Sequence, residues 1–166
     1  MGNDCRNGAC NVYREARLKA AKYNDRLSSM EGASELIGVS MPTLRDYEVG
    51  NTKIIPVDRV NAMADVYNAP HLRNHYCKNE CPIGQRLPIA TGENSLELVT
   101  IRLLNSMDDG ELASAKKELL SIAEDGTISE EEQYRVRDLM ITLDRLAESI
   151  SALRLIAEKS NGGTNP

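Results

Sequence analysis

Residues 29–51 read SMEGASELIGVSMPTLRDYEVGN, and this stretch decides the fold. Ala33 and Ser34 are small enough to let one helix approach another closely, while Ile37 and Val39 are apolar plugs for the angle between two helices. Gly38 lies between those plugs, where a left-handed backbone costs least for a residue without a Cβ. Ser40 is a favoured N-cap, and Pro42 falls in the following first turn, where its missing N–H leaves nothing unpaired. Leu44 and Tyr47, three residues apart, share one side of a helix, and Gly50 terminates it. The spacing therefore predicts one helix over 29–37 and a second over 40–49, joined by a tight turn: a helix-turn-helix unit.

Working outward, helical periodicity extends along the whole chain. Val12, Ala16 and Ala20 mark a helix over 11–22. Pro56 opens another that sets Val60, Met63, Ala64 and Tyr67 on one face. A short fifth helix is expected over 71–77. Residues 80–94, ECPIGQRLPIATGEN, hold two Pro and two Gly and read as a linker. Beyond it, 95–107 places Leu96, Val99, Leu103 and Met107 at helical spacing, 110–124 forms a further helix, and Ser129 opens the longest, to about Lys159. Val136, Leu139, Leu143, Leu146, Ile150, Leu153 and Ala157 alternate at three and four residues, the seam of a coiled coil or helical bundle. The expected fold class is all-α: a five-helix N-terminal domain (1–79), a linker (80–94), a helical dimerisation or interaction domain (95–160) with one long coiled-coil-like helix, and a disordered tail (161–166).

Composition agrees. The chain of 166 residues is 41% hydrophobic but has no Phe or Trp and only six Tyr, which suits helices packed on helices better than a sheet. No apolar run approaches the roughly 20 residues that cross a bilayer, and the opening MGNDCRNGACN lacks the apolar core of a signal peptide. These features predict a cytoplasmic protein without a membrane partner. Net charge is −5, unevenly placed: residues 11–80 hold ten Lys/Arg and nine Asp/Glu, a balance of +1, whereas 81–166 hold nine and fifteen, a balance of −6. Affinity for a DNA backbone scales with phosphates neutralised, so a tight, sequence-independent DNA coater is not expected.

With Gly38-Val39-Ser40, Thr43-Leu44, Tyr47-Glu48 and Gly50 in one register, followed by the helix from Pro56 to Tyr67, the chain resembles the Cro/repressor-like, or XRE, helix-turn-helix regulators with a lambda-repressor-like fold. The resemblance implies that the second helix of the pair lies in the major groove of double-stranded operator DNA. It implies Met41, Thr43 and Arg45 as base or phosphate contacts and Lys53 as a phosphate contact. Arg45 is the only side chain of that helix able to bond guanine bidentately. Arg17 and Glu48 match positions that form a structural ion pair in such proteins. Two departures stand out. Met30 occupies the DNA-facing position where many relatives carry a phosphate-fixing Gln, and KYNDR (22–26) lengthens the loop after the first helix. The segment HYCKNECPIG further resembles a YC-x3-CPIG pattern in a Firmicutes-type subgroup of these regulators.

Four cysteines raise the question of a cofactor. Cys5-x4-Cys10 precedes the first helix and Cys77-x3-Cys81 follows the fifth, and four thiolates suit zinc or an iron–sulfur cluster. Structural zinc sites favour tighter C-x2-C knuckles, so inert or redox-labile thiols are the alternative. His71 and His75 lie four apart near Cys77 and read as ordinary surface histidines. Asp125-Gly126-Thr127-Ile128-Ser129 with Glu132 resembles half a calcium loop, but Ala123 stands at a ligand position and cannot coordinate. Ser129 and Glu132 also read as a capping box. No phosphate loop, dinucleotide fingerprint, HExxH or nucleophile elbow occurs, so no catalytic site is expected. The expected function is a sequence-specific transcriptional regulator acting as a homodimer through the C-terminal helices. A protein-interaction module on the same scaffold and a cysteine-based redox or metal-sensing regulator are the alternatives.

Overall fold

Asn11, Ser29 and Ser40 each precede a run of helix-forming residues, and in the computed structural model each caps a helix. The structure describes residues 11–123 and 127–161, and among them eight α-helices and two 3-10 turns follow one another with no strand. The chain is all-α, as its composition predicts. It divides into two units, Met1–Arg86 with Glu158–Pro166, and Leu87–Ala157.

In the first unit, α1 (Val12–Ala20) begins where Asn11 Oδ1 accepts the Tyr13 N–H at 2.9 Å. Asp25–Ser28 forms a 3-10 turn, so the KYNDR segment is built into the fold: Leu27 is 1% exposed and belongs to the core. Ser29 Oγ then accepts the Gly32 N–H at 3.0 Å and opens α2 (Met30–Ile37). Gly38 takes φ 74°, and Ser40 Oγ accepts the Thr43 N–H at 3.2 Å to open α3 (Met41–Val49), which ends at Gly50 with φ 77°. α4 (Val57–Val66) and α5 (His71–Asn79) complete the unit.

In α3 and α4 the buried face is the one the periodicity predicts, whereas α1 turns Tyr13 and Ala16 inward and leaves Val12 and Ala20 half-buried. Of the face expected in the later helix over 95–107, Val99 is buried while Leu96 and Met107 are exposed. Leu44 from α3, Val60 and Met63 from α4, and Leu72 from α5 meet Leu27 and Ala33 in one cluster. Burying each large apolar side chain contributes roughly 1.5–3 kcal/mol.

Residues 80–94 do not form a single connecting segment. Glu80 accepts the Tyr13 hydroxyl at 2.7 Å and the Ile55 N–H at 3.1 Å, tying the end of α5 to α1 and to the stretch before α4. Gly84 lies in the second 3-10 turn, so close to α5 that a Cβ there would sit 2.4 Å from the Cys77 carbonyl oxygen. Residues 87–94 belong to the second unit, where Ala90 is buried.

The second unit contains α6 (Leu96–Ser106), α7 (Asp109–Ile122) and α8, which starts at Gln133 and runs to Asn161. Ser95 and Asp108 cap α6 and α7. Of the expected Ser129–Glu132 capping box the Glu132 half forms, Oε2 accepting the Ser129 N–H at 3.0 Å and its hydroxyl at 2.7 Å, but α8 begins at Gln133, past a turn over 130–132, and not at Ser129. Asp125 and Gly126 of the calcium-loop reading lie outside the described residues, as does the tail beyond Asn161. Arg135 pairs with Glu118, fixing the start of α8 against α7.

The inward face of α8 departs from the expected seam. Leu139 is buried and Leu143 and Leu146 are half-buried, but thereafter Ala152 and Leu155 are buried while Ile150 and Leu153 are exposed. The physical reason is the 87–94 segment. Ala90 donates its N–H to Ser151 Oγ at 3.2 Å, and Ala90 and Val99 pack on Ala152, whose small side chain permits that approach. No helix among the described residues is long and apolar enough to cross a membrane.

Candidate nucleic-acid interface

α3 is held from several directions. Its inner side, Leu44, Tyr47 and Glu48, is buried. Arg17 of α1 donates through Nε and Nη2 to the two Glu48 carboxylate oxygens at 2.5 and 2.8 Å, and through Nη1 to the Leu27 carbonyl at 2.8 Å. The hydrogen bond to Glu48 holds the Arg17 guanidinium above its ordinary pKa, against the opposing effect of burial. Asn11, having capped α1 through its oxygen, donates its Nδ2 to the Tyr47 carbonyl near the end of α3 at 2.8 Å. At the other end of the motif, Arg59 of α4 donates Nη1 to the Ile37 carbonyl at 3.0 Å, satisfying a terminal group of α2. Sequence reasoning did not single out Asn11 or Arg59. The available signal for Asn11 was a capping residue directly before an apolar-periodic run.

Beside the ion pair lies Tyr67, whose hydroxyl is buried without a hydrogen-bond partner among the described residues. Its ionisation is pushed far up, first by burial and then by the Glu48 charge. The Tyr13 ring meets His75 edge-on at a centroid distance of 5.9 Å.

The outward side of α3 carries Met41, Arg45 and Val49, four residues apart and so in one stripe. Met41 is 48% and Val49 55% exposed, and between them Arg45 is exposed with no ion pair or hydrogen bond among the described residues. Thr43 is half-buried, its hydroxyl 2.7 Å from that of Ser40. Lys53 is exposed and likewise unpaired among the described residues. Met30, expected at the DNA-facing position, is half-buried and packs against the core. Arg14 and Lys22 add two further cations without a carboxylate partner among the described residues. Arg26 is engaged with Glu35 and Arg73 with Asp65.

Cys77 and Cys81 are free, half-buried thiols at the end of α5, while Cys5 and Cys10 lie outside the described residues. Among the described residues, no group of three or more His, Cys, Asp or Glu side chains is placed to hold a metal ion. The two histidines are not surface residues: His71 is buried at 6% exposure and His75 is half-buried. Burial lowers the His75 pKa from its ordinary value, the Glu80 charge opposing.

Comparison with family models, with curated proteins and with solved structures finds no match to this chain.

Proposed function

We propose that this protein is a sequence-specific, DNA-binding transcriptional regulator with a helix-turn-helix domain similar to the Cro/repressor-like type, acting as a homodimer on double-stranded operator DNA. The observation that carries the reading is the outward stripe of α3, a helix anchored through Asn11, Arg17 and the Gly38 turn. On that stripe, between Met41 and Val49, stands Arg45, an exposed guanidinium with no partner among the described residues. A bidentate bond from such a group to guanine N7 and O6 is the commonest specific base contact, and flanking apolar groups suit thymine methyls. Arg14, Lys22 and Lys53 supply further uncommitted cations for phosphates. Dimerisation through α6–α8 is supported by the apolar side chains left exposed there, among them Ile101, Leu104, Leu120, Met140 and Ile150. A dimer doubles the number of bases read by one short helix.

A protein-docking role for the same scaffold is favoured by one observation: Met41, Val49, Ile54 and Val57 are all about half exposed, so the rim of α3 is rich in apolar surface. Selection of bound sequences from a random DNA pool, with and without reductant, separates the readings. The regulator reading predicts enrichment of a two-fold symmetric site. Recovery of no preferred sequence under either condition supports the docking role, and enrichment in only one condition points to a redox-sensing regulator.

A further inference from the structure

The second unit contains a cavity of about 620 Å³ that the DNA reading does not use. Its walls come from residues 90–94 and from α6, α7 and α8, and its apolar lining includes Val99 and Ala152, both buried. The volume falls in the range of small-molecule sites, roughly 300–1,000 Å³. Four charged side chains line it: Arg102 from α6, Glu111 from α7, and Arg145 and Glu148 from α8.

Two positive and two negative groups border one concavity, yet none of the four side chains makes an ion pair or hydrogen bond among the described residues. Arg145 and Glu148 are even one helical turn apart, where opposite charges commonly pair. Elsewhere in the same unit Arg135 is paired with Glu118. Unpaired charges of both signs bordering one concavity are complementary to a molecule that itself carries both signs at separated atoms.

From this we infer that the cavity is a binding site for a small zwitterion of the amino-acid class. The guanidinium groups of Arg102 and Arg145 take its carboxylate, Glu111 and Glu148 take its ammonium group, and its side chain lies toward Val99 and Ala152. Arginine suits the carboxylate because its planar fork bonds both oxygens. A purely anionic ligand would leave two carboxylates facing it, and a polyamine would face two guanidinium groups.

The site is tested without DNA, so its failure and that of the regulator reading are separate results. Thermal-shift and calorimetric titrations of the full chain use the common amino acids as probes, with succinate and putrescine as single-sign controls. At least one amino acid is expected to raise the melting temperature in a dose-dependent, saturable way, more strongly than either control. Arg145→Gln and Glu148→Gln, both at exposed positions, are expected each to weaken that ligand about tenfold or more while leaving the unliganded melting temperature unchanged. Absence of binding by every amino acid up to about 10 mM overturns the inference. So does a succinate affinity equal to that of the best amino acid, or an affinity unaffected by Glu148→Gln.

Discussion

Arg17 and Glu48, 31 residues apart, form a bidentate ion pair in which both side chains are nearly excluded from solvent, at 6% and 2% exposure. The pair joins α1 to α3, and the third guanidinium contact, to the Leu27 carbonyl, brings in the 3-10 turn. A buried pair of this kind fixes the orientation of a helix more than it adds net stability. Desolvating two charges offsets most of their attraction, whereas removing one partner strands the other.

The first prediction follows from that asymmetry. Arg17→Met and Glu48→Leu singly are expected to destabilise the chain by about 3–5 kcal/mol each. The double variant is expected to lie much nearer the parent, and a double-mutant cycle by urea denaturation measures the coupling. Additive losses would show that the pair does not act as a unit.

Tyr67 supplies the opposite case. Its buried hydroxyl lacks a partner among the described residues, and an unsatisfied buried polar group costs about 1–3 kcal/mol. Tyr67→Phe is therefore expected to leave stability unchanged or raise it by about 1 kcal/mol. A loss above that size, read from the denaturation midpoint, would reveal a hydrogen bond at this oxygen.

Gly32 tests the close packing of α2 on the preceding turn. Alanine in a helix interior ordinarily gains about 0.5–1 kcal/mol over glycine. Here an added Cβ would lie 2.3 Å from the Arg26 carbonyl oxygen, a backbone atom that cannot swing aside. Gly32→Ala is expected to destabilise by about 1–3 kcal/mol instead, and circular-dichroism melting shows the sign directly.

His75 sets a pH dependence. Because burial lowers its folded pKa below the ordinary 6.5, the unfolded chain binds the extra proton first. The stability it contributes is full above pH 6.5, falls as pH drops below that value, and is lost once pH has passed the lowered folded value. Stability measured between neutral and mildly acidic pH is expected to decline in the parent and to decline less in His75→Gln.

Much of this organisation is written locally in the sequence. Gly38, Ser40 and Gly50 fix the turn and helix ends through backbone preference alone, and the structure places all three as read. What was not legible depends on distant partners. Glu80, assigned to a linker, is held by Tyr13 and Ile55, and Gly84 is required by the Cys77 backbone, contacts that no local pattern encodes. The switch of the α8 face after Leu146 arises from packing of Ala90 and Val99, some 50 to 60 residues earlier in the chain. The candidate site divides the same way. Arg45, singled out by the family resemblance, is exposed on α3, whereas Met30, given a DNA-facing place by the same resemblance, turns partly into the core. Arg102, Glu111, Arg145 and Glu148 come together only through three helices, and none stands out alone in the sequence.

Whether the outward stripe of α3 reads DNA is decided by anisotropy titration of the full chain against a duplex selected from the random pool. Parent and Arg45→Ala are compared across a series of salt concentrations. Saturable binding that weakens with salt is expected, with a loss for Arg45→Ala of about 1–3 kcal/mol confined to a guanine in each half-site. Absence of saturable binding at low salt, or an Arg45→Ala affinity equal to the parent's on every sequence, would contradict a DNA-reading role for that stripe.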